Sequence, residues 1–246
     1  MTNIIHQHTE CTVPRMCGNC VLQLLCHPQP GLDAEQLADL DKVIQETRPV
    51  KKGQSLFRTG ERFQSLFAVR TGFFKTTLAN SDGRDQVTGF FMSGELLGLE
   101  GIDAGQYRSD AVALEDSEVC ELPFANLEGI VAEVPSMATY FYKLMSREIV
   151  RDQNLMMMLG NMRAEERLAV FLLNLSQRLQ LRGFSANDFI LRMSREELGS
   201  YLGLKLETVS RTLSRFQQEG WLKVEHKHIR LLQPESLQAL VSQPAA

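Results

Sequence analysis

The chain has no apolar run long enough to cross a membrane. Its longest uninterrupted stretches, such as Leu168 to Leu173, are about six residues, against the roughly twenty that a spanning helix needs. The first fourteen residues contain no Lys or Arg and no apolar segment follows them, so a secretory signal is not expected. No Gly-rich loop leads into Lys-Ser or Lys-Thr, and the Ser, the few His and the carboxylates form no nucleophile pattern, which speaks against an enzyme. No internal repeat or low-complexity tract is present. Cysteine is scarce and unevenly placed: of five, four stand at 11, 17, 20 and 26 and the fifth at 120. A disulfide scaffold would be short, dense in Cys and exported. Cys17-Gly18-Asn19-Cys20 also lacks the βαβ setting of a thiol oxidoreductase. These absences leave a soluble cytoplasmic protein whose thiols stay reduced.

What is present is a chain of 246 residues, 43% apolar and 23% charged, long enough for two ordinary domains and apolar enough to bury a core. The formal net charge is −4. Residues 163–230, however, carry twelve Lys and Arg against eight Asp and Glu, a local +4 that leaves −8 elsewhere. That asymmetry points to a basic module on an acidic body.

Four regions differ in texture: 1–31, 32–134, 135–162 and 163–246. The first holds four Cys and ends in the breaker cluster His27-Pro28-Gln29-Pro30-Gly31. A short helix with Leu32, Leu37, Leu40 and Ile44 on one side is expected next. The second region holds nine of the seventeen Gly between 53 and 105. Its short apolar segments, Ser55–Phe57, Leu66–Val69, Val87–Phe91 and Ala111–Leu114, and the turn signal Asp82-Gly83, predict an antiparallel β-roll. The third reads as one long helix with Pro135 in its first turn. In it Tyr142, Met145, Ile149, Asp152, Met156 and Leu159 follow one another at spacings of 3, 4, 3, 4 and 3, the seam of a two-stranded coiled coil. The fourth is expected to hold a helix from Ala164 to Leu181, a break at Gly183, two short helices and a β-hairpin. The fold class is therefore α+β.

The most specific motif runs from Ser194 to Arg211. Ser194 and Glu197 have the spacing of a capping box, and Gly203 supplies a turn that excludes most side chains. Laid out at 100° per residue, the helix after the turn gathers Leu206, Val209, Leu213 and Phe216 on one face and Glu207, Ser210, Arg211 and Ser214 on the other. The polar face suits a DNA major groove, where Arg donates twice to guanine, Glu accepts from cytosine and Ser adapts. A carboxylate is costly beside phosphates, so its place among these residues favours base reading. Beyond the helix, Lys223, Lys227 and Arg230 alternate with apolar residues as in a wing touching the DNA backbone. His226 and His228 read as turn residues rather than metal ligands.

With those residues in view, the chain resembles the superfamily of the cyclic-AMP receptor protein and the fumarate and nitrate reduction regulator, over about Cys17 to Leu240. Glu207, Ser210 and Arg211 match the Glu-x-x-Ser-Arg signature of the second branch. The cyclic-AMP branch has Arg at the place of Leu206 and Gly at that of Ser210. The resemblance implies a β-roll, a dimer helix and a winged helix-turn-helix. It also implies that Cys17, Cys20, Cys26 and Cys120 hold a [4Fe-4S] cluster, which oxygen converts to [2Fe-2S] and removes. Cys11 has no counterpart and is left as a spare thiol. Structural zinc also suits four cysteines, although its usual pairing of two Cys-x2-Cys units is missing.

The resemblance further implies a cluster-dependent homodimer that binds double-stranded promoter DNA at inverted TTGAT half-sites and contacts RNA polymerase near 80–86 and 182–185. On the seam, Asp152 would face its own twin, and two desolvated carboxylates oppose association. Lys205 stands where relatives often carry a capping Thr, which predicts a weaker helix start or a phosphate contact. A further reading is a cyclic nucleotide bound in the roll, with Glu95 on a ribose and Arg108-Ser109 on a phosphate. The thirteen positions from Glu95 to Arg108 are more than such cassettes usually allow.

Overall fold

The computed structural model describes residues 46–79 and 85–242. Cys11, Cys17, Cys20, Cys26, the expected helix near 32–44 and the turn Asp82-Gly83 lie outside them. The chain opens with β1 (Glu46–Val50), β2 (Ser55–Phe57), β3 (Ser65–Thr71), β4 (Phe73–Ala79), β5 (Asp85–Met92) and β6 (Leu96–Leu97). A single turn, α1 (Gly101–Ala104), precedes β7 (Asp110–Ala113) and β8 (Ser117–Pro123). These strands form two four-stranded antiparallel sheets, ordered β1-β8-β3-β6 and β2-β7-β4-β5. Their inner faces share one core, in which Phe67, Val69 and Val119 of the first sheet meet Phe57, Phe74 and Phe91 of the second.

Two strands break the alternation expected of a half-exposed sheet. In β4, Phe74 points into the roll while Phe73 joins a different core; in β5, Phe91 points inward while Val87, Phe90 and Met92 join that other core. The doublets Phe73-Phe74 and Phe90-Phe91 thus mark a sheet covered on both faces.

The cover comes from the C-terminal half. After α2 (Phe124–Glu133), the long helix α3 (Pro135–Asn161) begins with Pro135 in its first turn and ends at Met162. Then come α4 (Ala164–Gln180), β9 (Asp188–Ile190), α5 (Arg195–Leu202), α6 (Leu206–Gln218), β10 (Leu222–Glu225), β11 (His228–Leu231) and α7 (Pro234–Ser242). The expected hairpin is β10–β11, and β9 extends it into a three-stranded sheet. Leu168 and Leu172 of α4, Leu198 and Leu202 of α5, and Val209, Leu213 and Phe216 of α6 are buried with the outward residues of β4 and β5 in one continuous cluster. The two halves therefore share a core instead of meeting through a linker.

Candidate DNA-recognition surface and sensory core

The helix-turn-helix forms as its local sequence dictates. Ser194 Oγ accepts the Glu197 N–H at 3.0 Å while a Glu197 carboxylate oxygen accepts the Ser194 N–H at 2.6 Å, closing both halves of the capping box. Gly203 ends α5 with φ 63°, a left-handed conformation that favours glycine. Gly199 is needed for closeness: a Cβ there would lie 2.6 Å from the Leu204 carbonyl oxygen. Lys205 occupies the N-cap of α6 with no side-chain cap.

On α6, Val209, Leu213 and Phe216 are buried, whereas Leu206, expected on that face, is 44% exposed. Leu206 is the first residue of the helix, beyond the reach of the core. Thr212 is buried in its stead; the wheel layout did not assign it inward. Glu207, Arg211 and Ser214 are exposed and Ser210 is partly so. Glu207 and Arg211 make no ion pair among the described residues, in contrast with Arg215, which pairs with Glu165 and Glu219.

The wing cations are all engaged locally. Lys223 lies 2.6 Å from Glu225, Lys227 donates to the Arg192 carbonyl at 3.1 Å, and Arg230 lies 3.0 Å from Asp188. Asp188 also contacts His228. These two partners, His228 first, hold its carboxyl below the usual range. His226 turns the hairpin with φ 58°.

Cys120 stands mid-way along β8, opposite Thr47 of β1 and Ala68 of β3. It is 4% exposed, in a cluster that includes Met137, Tyr140, Phe141 and Leu144 from the first half of α3. Among the described residues no group of three or more His, Cys, Asp or Glu could hold a metal, so a metal on Cys120 needs donors from outside them, where Cys17, Cys20 and Cys26 lie. Four soft thiolates suit iron-sulfur chemistry.

The seam residues of α3 face away from the body. Tyr142, Ile149 and Met156 are 65%, 57% and 64% exposed, Asp152 is exposed and Met145 partly so. Leu159 instead packs partly against the chain's own C-terminal core. At the end of α3, Arg167 of α4 donates to the carbonyls of Leu159 at 2.7 Å, Met162 at 2.9 Å and Leu202 at 3.0 Å. One guanidinium thus ties the long helix to the turn of the helix-turn-helix. No spacing signal in the sequence marks it.

The cyclic-nucleotide reading does not match the geometry. Glu95 accepts from Arg178 at 2.6 Å and Arg182 at 2.7 Å, both beyond the roll on or just after α4. Ser109 donates to Glu100 at 2.6 Å, and Arg108 reaches Asp103 at 3.3 Å. Inside the roll, Tyr107 stacks on Phe57 with ring centroids 4.0 Å apart. Glu95 and Ser109 of the would-be cassette are held in partly buried contacts, and Arg108 lies in an exposed pair with Asp103. Of the segments expected near RNA polymerase, 80–84 lies outside the described residues, and in 182–185 Arg182 is turned into the ion cluster while Phe184 is 59% exposed.

Comparison with known proteins places this geometry. Residues 47–134 match the cyclic nucleotide-binding domain and residues 166–240 the Crp-like helix-turn-helix domain. The chain is 46% identical over 224 residues to the transcriptional activator protein FnrA of Stutzerimonas stutzeri, covering 91% of each. It is 42% identical to the fumarate and nitrate reduction regulatory protein of Salmonella typhimurium, covering 91% of this chain and 89% of that one. The solved structure of FixK2 from Bradyrhizobium japonicum superposes with a TM-score of 0.74 at 31% identity, covering 81% of this chain and 98% of FixK2. The relatives are regulators that carry a DNA-binding helix-turn-helix, not enzymes, and no described helix is long and apolar enough to cross a membrane. With a roll, a long helix and a winged helix-turn-helix in the same order, the chain belongs to the CRP/FNR family of transcription regulators.

Proposed function

We propose that this regulator responds to oxygen. In this reading Cys17, Cys20, Cys26 and Cys120 hold a [4Fe-4S] cluster when oxygen is low. The chain then pairs along Tyr142, Met145, Ile149, Asp152 and Met156, and reads inverted TTGAT half-sites with Glu207, Ser210 and Arg211. Lys205, Lys223, Lys227 and Arg230 serve the DNA backbone, and the surface around Phe184 serves RNA polymerase. The observation that carries the reading is the position of Cys120, buried in the same apolar cluster as the first half of α3, whose opposite face exposes Tyr142 and Ile149.

When bound, the cluster supplies an oxygen-labile tie between the N-terminal cysteines and β8. The rest is done by side chains. Any shift of β8 at Cys120 is felt by Met137, Tyr140, Phe141 and Leu144, because packed interiors transmit displacement. The outer face of α3 buries its apolar residues by pairing, and two Asp152 carboxylates brought together oppose that pairing. Dimerisation is thus balanced, and a dimer gains the avidity of two half-sites.

The test is purification without oxygen, with assay of iron and acid-labile sulfide and a visible spectrum recorded as air enters. Iron and sulfide in similar amounts, with absorption that fades in air, is the expected result. Cys120→Ser should retain neither. Colourless protein holding zinc and no sulfide would refute the sensor reading and leave the DNA-binding one standing. A second expectation concerns the seam: Asp152→Ala should sediment as a dimer in air and bind the paired half-sites. An aerobic monomer for that variant would count against the seam.

A further inference from the structure

The contacts between the β-roll and the DNA-binding half form a built interface. At its centre Glu95 (15% exposed side chain) meets Arg178 and Arg182 (19% and 13%) at 2.6 and 2.7 Å. Arg178 also donates to the Phe90 carbonyl at 2.7 Å, and Arg182 to the Ser93 carbonyl. At its far end Lys75 of β4 lies 2.9 Å from Glu197, the capping-box glutamate of α5, and the Val87 N–H donates to Ser200 Oγ at 2.8 Å. Arg192 and Glu115 close the side toward β9 at 3.2 Å. Between these polar anchors lies the shared apolar core, with Phe90 packed on Phe171 and Tyr201.

We infer that this interface is a latch in which Glu95, Arg178, Arg182, Lys75 and Glu197 are positioning residues: they set the direction in which each subunit of a dimer presents α6 to DNA. The inference rests on the reading that the chain binds paired half-sites as a dimer. Hydrophobic burial alone tolerates sliding of one surface over another. A buried carboxylate with two guanidiniums does not, because any displacement leaves a charge unpaired in a poorly solvated place. The roll's glutamate, which by resemblance could have served a ribose, is thereby committed to the DNA-binding half. Orientation of the recognition helix is then set within each chain, and association along α3 is the step left to control.

A latch of this kind has a signature that ordinary stabilisation lacks. Two rigidly presented α6 helices fit only one separation of half-sites, since each added base pair rotates the second site by roughly 35°. The full chain, kept without oxygen, is titrated with duplexes carrying two inverted TTGAT half-sites whose separation changes in single base-pair steps. The wild type should lose about a hundredfold in affinity two base pairs from its optimum, as simultaneous engagement fails. Glu95→Gln should flatten that loss to under about tenfold, with dimerisation unchanged by sedimentation. Because Glu95→Gln uncovers two arginines and can impair folding, the double variant Lys75→Met, Ser200→Ala loosens the same interface at its partly exposed end and should flatten the profile in the same sense. Spacing profiles as steep as the wild type's in folded variants overturn the latch and leave the proposed function intact. A wild type that binds no paired site overturns both.

Discussion

Glu95→Ala should lower the stability of the protein by about 3–5 kcal/mol, the usual cost of removing one partner from a buried ion pair. The loss is not the value of the contacts themselves, since an apolar replacement of the whole cluster could match them. It comes from Arg178 and Arg182, which would keep their charges at 19% and 13% side-chain exposure with no carboxylate in ion-pair contact among the described residues, Glu148 acting on Arg178 only from farther off. Burial by itself would raise the Glu95 carboxyl, but the two guanidiniums outweigh it and hold the group below the usual carboxylate range. The sign of the pH dependence follows. A carboxyl lowered by folding contributes stability that is fully present above its unfolded value of about 4.3 and is lost as pH falls below that through the folded value. Denaturant titrations from pH 7 down to pH 3 should show this loss in the wild type, and Glu95→Ala should lack that contribution. Equal stability of the two proteins at pH 7 would mean that the triad is not closed in solution.

The second large effect concerns DNA. Arg211 is exposed on α6 and has no ion-pair partner among the described residues. A bidentate contact to guanine is worth about 1–3 kcal/mol of discrimination. The proposed dimer applies it at both half-sites, so Arg211→Ala should weaken binding by about 2–6 kcal/mol, roughly thirtyfold to more than ten-thousandfold. Arg215→Ala on the same helix is the control: that side chain is already held by Glu165 and Glu219, and its loss should change affinity far less. A base-reading role also demands that Arg211→Ala relax the preference at one base pair of each half-site. A uniform loss over all sequences, with a shallower salt dependence, would reassign Arg211 to the phosphates.

Much of this molecule is legible in local sequence because its elements are locally determined. The capping box at Ser194 and Glu197, the turn at Gly203 and the long helix from Pro135 depend on residues a few positions apart, and they form as expected. The strand segments at 55–57, 66–69, 87–91 and 111–114 fall within β2, β3, β5 and β7, although Leu114 itself lies just past its strand. The amphipathic layout of α6 holds for Val209, Leu213 and Phe216. It fails at Leu206, because burial at a helix end depends on where the neighbouring helices stop, and it leaves out Thr212, which lies in mid-helix one turn from both Val209 and Phe216 and joins their buried face.

The latch was not legible. Glu95 resembles the glutamate of a nucleotide cassette, and only folding shows that Arg178 and Arg182, more than eighty residues away, have taken its carboxylate. Arg167 likewise gives no signal, since its three acceptors are backbone carbonyls that any sequence would provide. A trace of the shared core did exist in the doublets Phe73-Phe74 and Phe90-Phe91, which are apolar on both faces of β4 and β5.

What the sequence by itself determined, through short-range spacing and residue type, is the helix and strand segments, the capped turn at Gly203 and the residue types on the two faces of α6, and it is on those residues that the resemblance to the family rests. The tertiary structure alone decided that the roll and the DNA-binding half share one core and a buried ion triad, and that Cys120 lies against the inner side of the long helix. The physical reason is that pairing between distant segments costs chain entropy and is selected by complementary burial and charge, which no local pattern encodes.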